Sequence, residues 1–182
     1  MKSTDLLMSE HRLIERMLNV LSNYTIKLEQ GKKVPPENLK MCVDFIRTFA
    51  DTYHHLKEED ILFAEMEAFG MPRNGGPVGV MLSEHEMGRR FTKAMTQAAE
   101  DYEKGNNGAA KAFAENARNY VGLLSQHISK EDGILYPMAN QMLGDMDDQI
   151  MEQFDEKKSR LGERVREKYE GIVTQLEKDS SS

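Results

Sequence analysis

The chain has very little cysteine: its 182 residues include one, Cys42, and no tryptophan. An internal disulfide, a zinc site built from several thiolates and a Cys-x-x-Cys redox pair each need at least two cysteines, so all three are excluded. A chain of this length can bury a core without disulfides. We therefore expect a single domain in a reducing compartment.

The chain also lacks a long apolar run and an excess of positive charge. No run of about 18 apolar residues is present, so we expect no transmembrane helix, and the first residues carry charges where a signal peptide is apolar. Lys and Arg number 24 against 31 Asp and Glu, a net charge of −7 spread along the chain. Nucleic acids and anionic membranes bind basic stripes. We expect a cytoplasmic protein that binds neither.

Helix-breaking residues are scarce and grouped. The 5 prolines and 13 glycines cluster mainly near residues 31–36, 70–77, 105–108 and 144. The intervals between these clusters predict five helices, over residues 3–30, 36–69, 78–104, 108–141 and 147–178, with Pro137 bending or ending the fourth. Because no segment alternates β-branched and polar residues as a strand does, the predicted fold class is all-α.

We expect the first four helices to pack as an up-down-up-down four-helix bundle over residues 1–145, because short loops join antiparallel neighbours. Residues 146–182 are predicted to form an additional C-terminal amphipathic helix and a short disordered tail, 180–182, within the same domain. The apolar stripe of this helix must be buried on the bundle or on another copy of the chain, which would make a homo-oligomer. The stripe comprises Ile150, Phe154, Leu161, Val165, Ile172 and Leu176.

An internal repeat divides the chain into two similar halves. Residues 54–63 (HHLKEEDILF) and 127–136 (HISKEDGILY) align without gaps and are identical at five of ten positions. The tripeptide Ser-Glu-His also occurs twice, ending at His11 and at His85. His127 follows His54 by 73 residues (127 − 54), and His85 follows His11 by 74 (85 − 11). Each half therefore contains a helix with one His, followed by a helix with His-x-x-x-Glu.

The repeated motif has the spacing of a metal site. Residues four apart lie on one face of a helix, so His54 and Glu58 converge, as do His127 and Glu131. Four of the five histidines have Glu four residues later, whereas composition predicts fewer than one such pair. Packing the four helices together would add two single histidines, and the resulting donors suit Fe, Mn or Zn. Two metals bridged by the carboxylates would neutralise the buried charge.

The pattern His…His-x-x-x-Glu, present twice, and the segment GGPVGVMLSEH at residues 75–85 resemble the hemerythrin-like (HHE cation-binding) proteins. The resemblance runs from about Ser9 to Pro137. It implies a four-helix bundle that holds two Fe ions, oxo- or hydroxo-bridged, in a non-haem diiron centre. Such a centre would bind or react with O2, NO or peroxide, and Mn or Zn are alternative metals. Ferritin-like diiron bundles differ, because they use Glu-x-x-His on two helices.

The resemblance implies a role for each matching residue. His11, His54, His85 and His127 match the terminal imidazole ligands, and Glu58 and Glu131 match the bridging carboxylates.

The chain also departs from the oxygen-carrying members. They have His-x-x-x-His on the third helix, where this chain has Met81 before His85 and Arg89 after it. Their last carboxylate is an Asp five residues after its His, so Asp132 is an alternative to Glu131. This chain therefore has one imidazole ligand fewer than the oxygen carriers, which favours NO, peroxide or redox chemistry over reversible O2 carriage. The iron–sulfur-repair branch is similar, but it usually adds a cysteine-bearing N-terminal domain.

Several residues near the predicted ligands have two interpretations. We expect His55 at the solvent or a boundary, since it is rotated by about 100° from His54. Glu15 is expected to pair with Arg89 or to be an additional ligand. Tyr120 is expected to pack in the core or to line the ligand pocket. Glu10 and Glu84 are either surface residues or hydrogen-bond partners of the ligands.

Three hypotheses follow for the function. The first is a cytoplasmic diiron protein that binds or reacts with O2, NO or peroxide in sensing, detoxification or redox and iron–sulfur repair, in one form a peroxide- or NO-reactive oxidoreductase with a redox partner protein. The second is a sensor or interaction module that the metals order, without turnover. The third is a metal-free or mononuclear structural bundle.

Overall fold

The computed structural model describes residues 1–161 and 164–181, and this part of the chain is helical with no strand, which confirms the all-α prediction. Eight α-helices are joined by short connections. They are α1 (Lys2–Glu29), α2 (Pro36–Phe45), α3 (Phe63–Ala68), α4 (Pro77–Glu103), α5 (Ala109–Lys130), α6 (Tyr136–Leu143), α7 (Asp147–Leu161) and α8 (Val165–Ser181).

Three segments between the α-helices have the wider turns of a π-helix. They are π1 (Ile46–His55), π2 (Glu58–Leu62) and π3 (Glu131–Leu135). The chain stays helical from Pro36 to Ala68, through α2, π1, π2 and α3, and again from Ala109 to Leu143. Wider turns of this kind are rare and occur often at functional sites.

Proline and glycine set the helix ends, as the sequence predicts. Pro36 and Pro77 lie in the first turns of α2 and α4, where the missing N–H costs no hydrogen bond. Gly31, after α1, and Gly108, before α5, have φ values of 71° and 80°, which residues with a Cβ rarely adopt.

Two apolar clusters fill the interior. The larger includes Ile14, Phe49, Met95 and Leu124, and the smaller includes Leu7, Leu62, Met81 and Leu135. Each of the four helical stretches that contain the predicted ligands contributes to both clusters, and the ligands lie close to the point in each stretch where the contribution changes from one cluster to the other. The candidate site is therefore a polar layer between two apolar clusters.

The C-terminal region differs from the prediction of one helix and a tail, because it forms α7 and α8. α7 packs on α1 and π2, and α8 packs on α1, α2 and π1. Ser180 and Ser181 belong to α8 and Ser180 is buried, so the predicted tail is wrong for these two residues, while Ser182 lies outside the described residues.

The predicted C-terminal stripe packs within the chain. Ile150, Phe154 and Leu176 are buried, Val165 and Ile172 are partly buried, and the side chain of Leu161 lies outside the described part. A homo-oligomer through this region stays a prediction. Among the described helices, none is both long and apolar enough to cross a membrane.

Candidate metal centre

The six residues that the sequence predicts as ligands meet in the polar layer. α1 contributes His11, π1 contributes His54, α4 contributes His85 and α5 contributes His127. Glu58 and Glu131 are the first residues of π2 and π3. All six are at most 2% exposed. The structure therefore brings together every predicted ligand, and metal binding by these residues stays a prediction.

The potential ligand atoms form two groups, each with its members within 4.8 Å of one another. One group is His11, His54, Glu58 and Glu131, and the other is His55, Glu58, His85 and His127.

Glu58 belongs to both groups: its Oε1 lies 3.6 Å from His54 Nε2, and its Oε2 lies 3.6 Å from His85 Nε2. Glu131 also lies between the groups, because its Oε2 is 3.2 Å from Nε2 of both His11 and His127. This is the placement of two bridging carboxylates.

A carboxylate fixes the orientation of each of the four predicted imidazole ligands. His11 Nδ1 donates a hydrogen bond to Asp132 (2.6 Å), and His54 Nδ1 donates one to Glu10 (2.9 Å). His85 Nδ1 donates to Glu59 (2.7 Å), and His127 Nδ1 donates to Glu84 (2.9 Å). Nε2 of each ring is left facing the centre. Histidines that bind metals usually donate their other N–H to a carboxylate or carbonyl in this way.

These hydrogen bonds follow the internal repeat. Glu10 and Glu84 are equivalent, and each bonds the histidine of the following helix rather than its neighbour in sequence. Lys57 and Lys130 are equivalent too, and they pair with Glu10 and Glu84 respectively. Of the two alternatives for Glu10 and Glu84, the structure shows hydrogen-bond partners of the predicted ligands and not surface residues.

Asp132, the alternative to Glu131, lies on the outer side of His11. Its Oδ1 accepts the hydrogen bond from Nδ1, its other oxygen pairs with Arg12, and its side chain is 23% exposed. Glu131 is fully buried and faces the imidazoles. The geometry therefore favours Glu131 as the second bridge.

The prediction for His55 is wrong, because its side chain is buried and its ring stacks on His85 with 3.8 Å between ring centroids. The prediction assumed the 100° rotation per residue of an α-helix. His55 ends π1, whose wider turns rotate successive residues less, so His55 follows His54 into the interior. Its Nδ1 differs from those of the other four in its longer contact with a carboxylate, 3.5 Å from Asp51 Oδ1.

Glu15 and Arg89 also differ from their prediction. Glu15 is half-exposed and pairs with Arg12, 3.3 Å away, so it neither meets Arg89 nor enters the centre. Arg89 donates hydrogen bonds to Asp51 and Glu59. Both residues lie one helical turn beyond a ligand histidine, and spacing alone does not determine which partner each selects.

Tyr136 is a residue that the sequence analysis did not single out. Its hydroxyl donates a hydrogen bond to Glu58 Oε1 and lies 3.3 Å from His11 Nε2. The signal was present in the repeat, where Tyr136 is equivalent to Phe63, because the two differ only by this hydroxyl. Tyr136 thus makes the two halves of the centre unequal.

The centre contains buried polar atoms that complete no hydrogen bond within the protein, although opposing side-chain atoms lie 3.2–4.0 Å from them. They are His54 Nε2, Glu58 Oε2 and both carboxylate oxygens of Glu131. Buried polar atoms are nearly always satisfied in native proteins, and a carboxylate without a partner in the interior is especially unfavourable. Cations among these atoms would satisfy all four, so the donors fit a pair of metal ions.

Burial and the neighbouring charges shift the pKa values of the two buried carboxylates. Burial and the charge of Glu131 hold the pKa of Glu58 well above its usual range. Burial would also raise the pKa of Glu131, but His127 and His11 outweigh it and hold this pKa well below the usual range.

The pKa values of the histidines are shifted in both directions. Burial lowers the pKa of His11 and of His127, but the carboxylates beside them outweigh it and raise both pKa values to about 9. Burial and the charge of His11 hold the pKa of His54 well below its usual range. Without metal, the layer therefore keeps protons on His11 and His127 at neutral pH.

Comparison with known proteins gives one family match. A family model described as the hemerythrin HHE cation binding domain matches residues 2–139. Uncharacterized proteins from Mycobacterium bovis and Mycobacterium tuberculosis are 25% identical over 174 residues, which cover 94% of this chain and 68% of each relative. No solved structure matches the chain at a significant level.

Proposed function

Because the chain belongs to the hemerythrin HHE cation-binding family, we propose that the polar layer holds two iron ions. His11 and His54 would bind one ion, His85 and His127 the other, and Glu58 and Glu131 would bridge them. The imidazole and carboxylate donors also suit Mn and Zn. The observation that carries the proposal is the set of four Nδ1–carboxylate hydrogen bonds around buried carboxylate oxygens that complete no hydrogen bond within the protein.

We also propose the up-down-up-down arrangement for the four stretches that supply the ligands. α1 contributes Leu7 to the smaller apolar cluster and later Ile14 to the larger one, and α4 passes between the clusters in the same order. The stretches from Pro36 to Ala68 and from Ala109 to Leu143 pass from the larger cluster to the smaller one. This alternation supports antiparallel neighbours.

The bound iron would supply binding and redox chemistry for O2, NO or peroxide. The chain's own residues would prepare the site. The four carboxylates orient the imidazoles, Glu58 and Glu131 hold the two metal positions close together, and the apolar clusters restrict water. Tyr136 holds a proton at Glu58 Oε1.

We propose NO, peroxide or redox chemistry, including detoxification or iron–sulfur repair, rather than reversible O2 carriage. Two residues of α4 support this choice. Met81 packs in the smaller apolar cluster, and Arg89 is directed to Asp51 and Glu59. Neither supplies the additional imidazole that the oxygen carriers have on this helix.

A sensor without turnover is the second candidate, and one contact favours it. Arg166 of α8 donates a hydrogen bond to Ser9 Oγ at 3.0 Å, beside Glu10, which holds His54. The C-terminal helix thus contacts a segment that positions a predicted ligand, so a change at the metals could alter the outer surface of α8.

Metal analysis with an optical spectrum tests the diiron proposal. We expect about two irons per chain with bands of bridged ferric ions, and loss of metal in His54→Ala. One metal or fewer per chain, or an unchanged content in His54→Ala, would contradict it. Rapid mixing with peroxide or NO then separates the candidates, because repeated consumption supports an enzyme and a stable adduct supports a sensor.

A further inference from the structure

A cleft of about 740 Å³ lies beside the polar layer, between π1, α4 and α5. His55 and His85 line it, so it reaches the second group of potential ligands. Small-molecule sites typically have volumes of about 300–1,000 Å³, and a diatomic molecule needs far less. The size of this cleft therefore suits an organic molecule.

Positive charge surrounds the cleft, although the chain as a whole has a net charge of −7. Four basic residues line it, Arg47, Arg89, Arg90 and Lys93, against one acidic residue, Asp51. Arg89 and Arg90 have carboxylate partners. Within the described part of the chain, Arg47 and Lys93 form no ion pair, and both are exposed. Two cations are thus free to bind an anion.

The hydroxyl of Tyr120 is a buried polar group on the cleft wall with no hydrogen-bond partner, and Nδ1 of His55, on the same wall, faces Asp51 Oδ1 at 3.5 Å. Tyr120 is 2% exposed and His55 is 5% exposed. A buried hydroxyl without a partner is unfavourable unless a ligand or water completes it.

The repeat does not account for these groups. The position equivalent to His55 is Ile128, which packs in the larger apolar cluster. On the side of His11, the Tyr136 hydroxyl is already engaged with Glu58. His55 and the unpartnered hydroxyl of Tyr120 therefore lie on the side of the centre that the cleft reaches.

We propose that this cleft binds an organic carboxylate whose charged group pairs with Arg47 and Lys93 and whose polar end meets Tyr120 beside the metal centre. Ile46 and Ala94, which also line the cleft, provide apolar contact for the body of the molecule. This site goes beyond the proposed function, because it assigns a second ligand that is neither a diatomic gas nor a peroxide.

Calorimetric titration of the purified protein with benzoate tests the proposal, with neutral benzamide as the matched probe. We expect saturable binding of benzoate and binding of benzamide weaker by about tenfold, because only benzoate pairs with the two cations. Equal binding of the two probes, or no saturable binding of benzoate, would overturn the proposal. Competition by inorganic phosphate at equal strength would also overturn it, since an organic body would then contribute nothing.

Variants locate the binding. The double substitution Arg47→Gln with Lys93→Gln removes two exposed charges and should weaken benzoate binding at least about tenfold, and Tyr120→Phe should weaken it by a few-fold. Lys111→Gln, an exposed residue of α5 paired with Glu115, should leave it unchanged. Unchanged affinity in the double variant or in Tyr120→Phe contradicts the assignment. Metal content measured on the same samples separates this result from the diiron proposal, because benzoate binding needs no iron.

Discussion

At the scale of single residues, the centre depends on which nitrogen of each imidazole faces inward. Four carboxylates hold Nδ1 of the predicted ligands, which leaves Nε2 toward Glu58 and Glu131. Removing one of these carboxylate charges should therefore act on metal affinity through the orientation and basicity of a histidine that is itself unchanged.

Glu84→Gln should weaken metal binding by about 10- to 100-fold, because it weakens the charge-assisted hydrogen bond to His127. Competition with a metal indicator measures the affinity. Glu103→Gln is the matched control, since Glu103 lies at the far end of α4 and pairs with Lys40 at the surface. Equal affinities of the two variants would show that Glu84 does not position His127.

Metal binding should release protons and strengthen as the pH rises. The carboxylates raise the pKa of His11 and His127 to about 9 against the effect of burial, so both rings are protonated in the metal-free protein at neutral pH. Because a ligand must be deprotonated to bind, the affinity for Zn²⁺ should increase between about pH 6.5 and 8.5. Titrations in buffers of different ionisation enthalpy count the protons, and zero release would contradict the assignment.

At the scale of helices, the sequence predicted the positions of residues that follow from helical periodicity. It did not predict the positions that depend on the wider turns of a π-helix. The spacing of His54 and Glu58 was sufficient to place both in the interior, because residues four apart share a helix face. The predicted position of His55 was wrong because no local pattern in the sequence indicates the wide turns of π1. Tyr136 was missed because its importance lies in a contact with Glu58, 78 residues away.

Two glycines of regular helices should respond oppositely to alanine. Gly122 in α5 has no atom within 4 Å of an added Cβ, whereas in α4 a Cβ at Gly79 would lie 2.7 Å from the carbonyl oxygen of Arg73. Gly122→Ala should raise the free energy of unfolding by about 0.5–1 kcal/mol, and Gly79→Ala should lower it by about 1–3 kcal/mol. Urea unfolding monitored by circular dichroism measures both, and a stabilising Gly79→Ala would contradict the packing described here.

At the scale of the whole molecule, the polar layer separates two apolar clusters that include none of the predicted ligands. The sequence predicted the all-α class and the convergence of the six ligands, since both depend on local periodicity and the repeat. It could not predict that α7 and α8 are separate helices, because the stripe of apolar residues continues through the region that joins them.

Removing the metals should lower the thermal midpoint while leaving most of the helix content. The two clusters should keep the helices packed, but the layer would lose the proposed cations beside Glu58 and Glu131, whose buried oxygens complete no other hydrogen bond. Binding at 100 times the dissociation constant stabilises a fold by about 2.7 kcal/mol. Thermal unfolding before and after chelation, followed by circular dichroism, measures the change. Identical midpoints would mean that the layer holds no ions.

The hydrogen bonds of the two single histidines connect the halves of the repeat. Asp132 of the second half holds His11 of the first, and Glu59 of the first half holds His85 of the second. A cut in the loop between α3 and α4 would give two fragments, each with an imidazole whose carboxylate lies on the other. The complete centre is thus an interface between two similar units. The chain is arranged like a dimer whose subunits have been joined end to end.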